Sequence, residues 1–186
     1  MPEQWTVRAI TRATLPLLVV LSLVELGSGL VLGSVEDTLL ASPSLLVLVP
    51  VTIGTAGNLG SVLSARLSTA FHLGLLSFSP TDERLGGTAL ATLGLAVTVF
   101  PLVGAGAWTV ATLTGTATLD VWTVVAVASL SGAVLAVLAV LVTVVTAYGA
   151  YRFEADPDDV VIPVVTNVCD VLGVLVLFGS VRVVVG

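Results

Sequence analysis

The chain has 186 residues, of which 56% are hydrophobic and only 10% are charged. Soluble domains typically have about 45–50% apolar and about 25% charged residues. The composition therefore excludes an ordinary soluble domain and favours an integral membrane protein. Twelve carboxylates against six basic residues give a formal net charge of −6, which excludes the basic surface that nucleic-acid binding requires.

The basic residues are all arginines, and lysine is absent. An acidic, lysine-free chain rich in Val, Thr and Ala favours an archaeal halophile, because extra carboxylates keep surfaces hydrated where salt screens charge. The alternative is that a membrane protein simply carries few lysines. Cys169 is the only cysteine, so no intrachain disulfide is possible and a packing role is expected.

Five apolar blocks follow one another, each close to the roughly 20 residues that span hydrocarbon as a helix. They cover about residues 13–33, 45–64, 88–109, 121–148 and 160–185. The sequence therefore predicts an all-α integral membrane protein with five transmembrane helices. We expect one domain over residues 1–186, embedded as a multi-pass protein in the lipid bilayer of the cell membrane.

Arginine placement predicts the orientation of these helices. Five of the six arginines fall on one side of the predicted topology: Arg8, Arg12, Arg66, Arg84 and Arg152. The positive-inside rule then places the N-terminus in the cytoplasm and the C-terminus outside, with Arg182 as the contrary residue. Five helices cannot form two equal inverted repeats, so a second subunit is expected to complete any pathway.

Asp170 is a carboxylate in the middle of the fifth block, roughly 15 Å along a helix from Val160. An ionised group at that depth is costly and normally faces a polar pathway, a partner charge or an ion. Helical periodicity predicts a polar face on this block, made of Pro163, Thr166, Asn167, Asp170 and Gly173. For Thr166 and Asn167, an interhelical hydrogen-bond network is an equally good interpretation.

The second block carries a stripe of small and polar residues: Gly54, Gly57, Asn58, Ser61, Ser64 and Ser68. For its glycines and serines, close helix packing is the better interpretation. Asn58 differs, because an amide in hydrocarbon needs hydrogen-bond partners. Asn58 and Asn167 are expected at a similar depth, on the cytoplasmic side of Asp170.

Two motifs support a family resemblance. The segment from Asp156 to Asp170 reads Asp-Pro-Asp-Asp-Val-x-Ile-Pro-x-x-Thr-x-x-x-Asp, and the second block contains Pro50 followed by Gly57-Asn58-Leu59-Gly60. Together they resemble MgtE-type magnesium transporters, in a single-repeat archaeal form related to the eukaryotic solute-carrier magnesium transporters. The resemblance implies a homodimer with Asp170 as the central ligand of a largely hydrated Mg²⁺. It also implies pore-lining roles for Asn58, Gly57, Thr166 and Asn167.

Magnesium suits such a site, because Mg²⁺ prefers oxygen ligands and dehydrates reluctantly. Oxygen ligands also bind Mn²⁺, Co²⁺ and Ca²⁺, so the sequence does not separate these ions. The acidic entry to the fifth block, including Asp156, is interpreted as helix capping, as an ion-attracting vestibule, or as both.

Glu25, near the middle of the first block, is not explained by the resemblance. It is a candidate second metal ligand, a proton-titrating group or a protonated packing residue. A proton- or Na⁺-coupled exchanger using Glu25 and Asp170 is therefore an alternative to simple Mg²⁺ transport, and a non-transporting membrane scaffold is another. The lone His72 is interpreted as a non-ligand, and no catalytic constellation appears, so an enzyme is not expected.

Overall fold

A computed structural model describes residues 6–34, 36–76 and 82–186. In this part of the chain every regular element is helical: α1 (Val7–Ser34), α2 (Glu36–Leu40), α3 (Pro43–His72), α4 (Glu83–Leu113), α5 (Val121–Arg152) and α6 (Pro157–Val184). All of them except the short α2 are long and apolar enough to cross a membrane, judged by length and composition. The predicted all-α fold with five such helices is confirmed.

The five long helices extend beyond most ends of the predicted apolar blocks. α1 begins at Val7 rather than near residue 13, and α3 continues to His72 rather than ending near residue 64. Apolar composition marks the part of a helix that suits hydrocarbon, whereas backbone hydrogen bonding can continue into polar turns outside it. Arg66 and Arg84, expected between helices, therefore lie within α3 and α4.

Aspartates begin three of the helices. Asp82, Asp120 and Asp156 are the N-caps of α4, α5 and α6, and each side chain accepts hydrogen bonds from backbone N–H groups of the first turn. These N–H groups have no partner within the helix, so the caps stabilise the helix starts. At Asp120, the Thr123 hydroxyl and the backbone N–H groups of Trp122 and Thr123 also donate to the carboxylate and lower its pKa.

α3 and α5 lie side by side at the centre of the bundle and contact each other. α4 packs against both on one side, and α6 packs against both on the other. α1 lies on the outer side of α6, and among the described elements it contacts only α6 and α2. Ser28 is the one buried residue described in α1, so most of that helix lies on the surface of the single subunit.

Small residues let α4 and α5 approach closely. Phe100 of α4 is fully buried, and its ring lies against Gly132 of α5 so tightly that a Cβ added there would meet ring atoms at 1.9–2.4 Å. Gly104 of α4 similarly faces the backbone of Val125. Lipid tails are as apolar as the side chains, so there is no hydrophobic driving force between helices in a membrane. Close van der Waals contacts of this kind hold the helices together instead.

Replacing Gly132 with Ala should therefore destabilise the bundle, because the buried Phe100 ring must move to admit the methyl group. Overpacking of this kind costs about 1–3 kcal/mol. We expect a lower apparent unfolding midpoint for Gly132→Ala in detergent. The matched control is Gly94→Ala in α4, where an added Cβ meets nothing within 4 Å. Equal midpoints for the two variants would contradict the packing described.

Candidate functional site

Part of the small-residue stripe of the second block meets the fifth block where α3 packs on α6. Glycines of one helix face side chains of the other along this contact: Gly57 faces Thr166, Gly60 faces Val165, and Gly173 faces Ile53. A Cβ on Gly60 would lie 2.2 Å from the Val165 side chain, and one on Gly173 would lie 2.6 Å from Ile53. The structure thus brings Gly57 and Thr166 together, at ordinary van der Waals distance, whereas glycine is required for the approach at Gly60 and Gly173.

Asn167 points to a different neighbour. It is buried, and its side-chain Nδ2 donates to the backbone carbonyl of Leu21 at 2.9 Å and to Oε1 of Glu25 at 2.7 Å. Both acceptors belong to α1. Asn167 therefore takes part in an interhelical hydrogen-bond network, one of the two interpretations that the sequence left open.

The polar face predicted for the fifth block is consequently divided between two neighbouring helices. Thr166 faces α3 and its hydroxyl donates to carbonyls of its own helix, at Ile162 and Pro163. Asn167 follows Thr166 directly, and consecutive residues on a helix are turned by about 100°. The two side chains thus lie on opposite borders of the same polar strip.

Asp170 lies between these borders, four residues after Thr166 and three after Asn167. Its side chain is half-buried. Its backbone carbonyl accepts a hydrogen bond from the Ser28 hydroxyl of α1 at 3.3 Å. The Glu25 carboxylate is near enough to interact electrostatically with the Asp170 carboxylate. Within the described residues the Asp170 carboxylate accepts no hydrogen bond.

A groove exposes Asp170 on the surface of the subunit. Both α1 and α3 pack on α6, but among the described residues they do not contact each other. The space between them is a groove with α6 as its floor, and Asp170 is on that floor. Glu25 on the α1 side is exposed as well. The groove therefore holds two carboxylates that are at least partly exposed on the surface of the single subunit.

Asn58 lies outside the contact between α3 and α6. It follows Gly57 and is turned about 100° away from Thr166. It is exposed, as is Gly54 one turn before it, and its amide makes no hydrogen bond within the described residues. Of the serines in the predicted stripe, Ser64 and Ser68 are buried and Ser61 is half-buried. The small-residue stripe of the second block is thus partly packing surface and partly an open face.

Asp156 is far from the groove. It is the exposed N-cap of α6, and its carboxylate oxygen accepts a hydrogen bond from the backbone N–H of Asp158 at 3.0 Å. Fourteen residues separate it from Asp170, which corresponds to about 21 Å along a helix. The helix-capping interpretation is confirmed for this residue, and the structure does not bring it to the other candidate ligands.

Sequence reasoning missed Ser28, whose hydroxyl bonds to the Asp170 carbonyl. The signal was available, because Ser28 lies three residues after Glu25 and residues at that spacing share a helix face. Serine is common in membrane helices as a packing residue, so its type alone did not distinguish it.

Comparison with known proteins gives one family match. The family sequence model described as MgtE, divalent cation transporter, matches residues 49–180. This is more than two thirds of the chain. The match begins within α3 and ends within α6, so it includes Gly57, Asn58 and Asp170 but not α1 with Glu25. No curated protein matches the sequence at a significant level.

The two asparagines of the chain should differ in their effect on stability. Asn167→Ala removes two hydrogen bonds to α1, each worth about 0.5–1.5 kcal/mol, and should lower the apparent unfolding midpoint in detergent. Asn58→Ala is the matched control, because the Asn58 amide bonds to nothing within the described residues. A larger loss of stability in Asn58→Ala than in Asn167→Ala would contradict the placement of the two side chains.

Proposed function

The chain belongs to the MgtE family of divalent cation transporters, and from this premise we propose that it carries Mg²⁺ through a pore lined by α3 and α6. Family membership, together with five helices able to cross a membrane, makes it a multi-pass protein of the plasma membrane. The observation that carries the proposal is Asp170. It is the only carboxylate in the interior of the four helices α3–α6, and it opens onto the groove.

A half-buried carboxylate without a hydrogen-bond donor is costly at membrane depth, so it favours a positive charge beside it. Mg²⁺ keeps several of its waters and binds through few carboxylates. We infer that Asp170 holds a hydrated Mg²⁺ and that neighbouring oxygens bond to its water shell. The candidate oxygens are the Thr166 hydroxyl, four residues before Asp170 on α6, and the backbone carbonyls next to Gly57, which faces Thr166.

The ligand chemistry favours a hard cation. Oxygen atoms are available around Asp170, whereas the one thiol of the chain, on Cys169, is buried in the hydrophobic core and points away from the groove. Sites built from carboxylate, carbonyl and water suit Mg²⁺, Mn²⁺ and Ca²⁺ rather than thiophilic ions. We propose Mg²⁺ as the principal ion within that class, with Mn²⁺, Co²⁺ and Ca²⁺ as the competitors to be tested.

We further propose that the working unit is a homodimer paired through the groove and the exposed face of α3. A single subunit leaves the Asn58 amide and the Asp170 carboxylate open to lipid, where unsatisfied polar groups cost several kcal/mol each. Pairing two copies through this face buries both groups and brings two Asp170 carboxylates together. Their combined charge of about −2 matches one divalent ion.

A coupled exchanger is the second candidate, and the position of Glu25 favours it. Glu25 accepts the hydrogen bond from Asn167 and interacts with Asp170, so one groove holds two acids. Mg²⁺ flux driven by a pH or Na⁺ gradient and lost in Glu25→Gln would favour exchange. Flux driven by membrane potential and retained in Glu25→Gln would favour a channel.

Asp170→Asn should abolish Mg²⁺ flux into liposomes, because the amide has nearly the shape of the carboxylate but lacks its charge. We expect a loss of tenfold or more, since about 1.4 kcal/mol of lost ion binding already corresponds to tenfold in affinity. Asp120→Asn is the control, because Asp120 caps α5 outside the groove and Asn also serves as an N-cap. Wild-type flux in Asp170→Asn would refute the central role of Asp170 and favour a scaffold.

The dimer can be tested with a cysteine introduced at Asn58 in a Cys169→Ala background. A bifunctional thiol reagent should cross-link two subunits through position 58, and Mg²⁺ should increase the yield, because a ligand that binds the dimer stabilises it. Val97→Cys is the control, since Val97 is an exposed residue on α4, away from the groove. A strictly monomeric protein that still transports Mg²⁺ would overturn this arrangement.

A further inference from the structure

A second group of metal-ligating side chains lies where α3 ends and α6 begins. His72 is the last residue of α3, Asp156 caps α6, and Asp158 is in the first turn of α6. One potential ligand atom from each of the three residues lies within 4.8 Å of the others. The described residues therefore combine a ring nitrogen from one helix with two carboxylates from another, about 21 Å along α6 from Asp170.

The imidazole of His72 is oriented for binding a cation. Its Nδ1 lies 2.9 Å from the backbone carbonyl oxygen of Ser68, and a carbonyl can only accept, so Nδ1 carries the hydrogen. The lone pair of the neutral ring is then on Nε2, which lies 4.0 Å from Oδ1 of Asp156. Metal-bound histidines usually donate their other ring N–H to a carbonyl or carboxylate in this way.

An ion in solution can reach these atoms. All three side chains are exposed, and His72 and Asp156 line a surface hollow of about 600 Å³ that also includes Arg152. Phe71 packs edge-to-face against both the His72 ring and the Tyr151 ring, with centroid separations of 5.5 and 5.8 Å. The ring is thus held by an aromatic neighbour as well as by its hydrogen bond, while Nε2 stays open.

We propose that His72, Asp156 and Asp158 form a second divalent-metal site, one that takes Zn²⁺, Co²⁺ or Mn²⁺ in preference to Mg²⁺. Two acceptors that face each other, Nε2 and a carboxylate, favour a cation or a proton between them. Imidazole with carboxylate suits zinc-like ions, whereas Mg²⁺ selects oxygen ligands. This proposal departs from the interpretation of His72 as a non-ligand that the sequence alone suggests.

Occupancy of this site would join the end of α3 to the start of α6. These are two of the three helices that form the groove, and they are the two that line the proposed pore, so the bound ion restrains their separation at one end of it. This consequence rests on the proposed function, whereas the binding itself does not.

The test uses the full chain in detergent micelles with ¹⁵N-labelled histidine. The sequence has a single histidine, so each imidazole resonance belongs to His72. Titration with Zn²⁺ should shift the Nε2 resonance in a saturable way at one ion per chain, and Mg²⁺ at the same concentration should not. An Asp156→Asn, Asp158→Asn double variant should bind at least about tenfold more weakly, since even outer-shell changes cost about 10–100-fold in metal affinity.

Two control variants distinguish Zn²⁺ binding at this site from ion binding in the groove and from nonspecific attraction to nearby carboxylates. Asp159→Asn changes a neighbouring carboxylate outside the cluster and should retain Zn²⁺ binding. The Asp170→Asn variant should also retain Zn²⁺ binding, although it is expected to lose Mg²⁺ transport. Asn at position 156 still serves as an N-cap, so weak binding in the double variant does not reflect a lost helix start.

An Nε2 resonance that does not respond to Zn²⁺, or responds equally in the double variant, would overturn the proposal. A response to pH alone would show a simple His72–Asp156 ion pair and would overturn it too. Wild-type flux in Asp170→Asn, with an intact Zn²⁺ response at His72, would instead count against the proposed transport mechanism only.

Discussion

Hydrocarbon supplies no hydrogen-bond partners, so each polar group on a membrane helix must find one in the protein. Most hydroxyls of α3 and α6 do so within their own helix: Ser61 and Ser64 bond to carbonyls one turn earlier, as does Thr166. Asn167 uses α1 instead. Within the described residues, the Asp170 carboxylate and the Asn58 amide remain without such partners. The hydroxyls of Ser44 and Thr52 in α3 also lack a partner among these residues, but they are buried, whereas Asp170 and Asn58 are accessible on the surface of the subunit.

The two helices that pack on α6 beside the groove fix the position of Asp170 in two different ways. On the α3 side, Gly60 and Gly173 admit neighbouring side chains where any Cβ would collide, so the position of α6 is fixed by steric fit. On the α1 side, the contact includes polar links, from Asn167 to Glu25 and from Ser28 to the Asp170 carbonyl. Steric fit between glycine and branched side chains is stiff, whereas hydrogen bonds between membrane helices are modest in strength. We therefore expect the α3 wall of the groove to be held more rigidly against α6 than the α1 wall.

The five long helices could be predicted from the sequence, and Asp170 could be singled out as a candidate ligand. Both inferences rest on local properties. An apolar run needs a helix to satisfy its backbone, and a charge within it is costly whatever its neighbours are. The partners of each polar residue were less predictable. Thr166 and Asn167 were assigned to one polar face, yet they turn to α3 and α1, because a helical period does not say where neighbouring helices lie. The approach of His72 to Asp156 depends on tertiary packing between distant segments and has no local signal.

The family match covers the segment that holds Gly57, Asn58 and Asp170, whereas α1 lies outside it. α1 nevertheless adds an acid beside the proposed ion site, since Glu25 interacts with Asp170. Two carboxylates near each other repel unless a cation or a proton is shared between them. An ion in the groove would relieve that repulsion, and so would favour the packing of α1 on α6. In the empty groove the repulsion instead opposes the link from Asn167 to Glu25. If Asp170 binds an ion as proposed, ion occupancy and the docking of α1 are coupled through this charge repulsion, in a channel and in an exchanger alike.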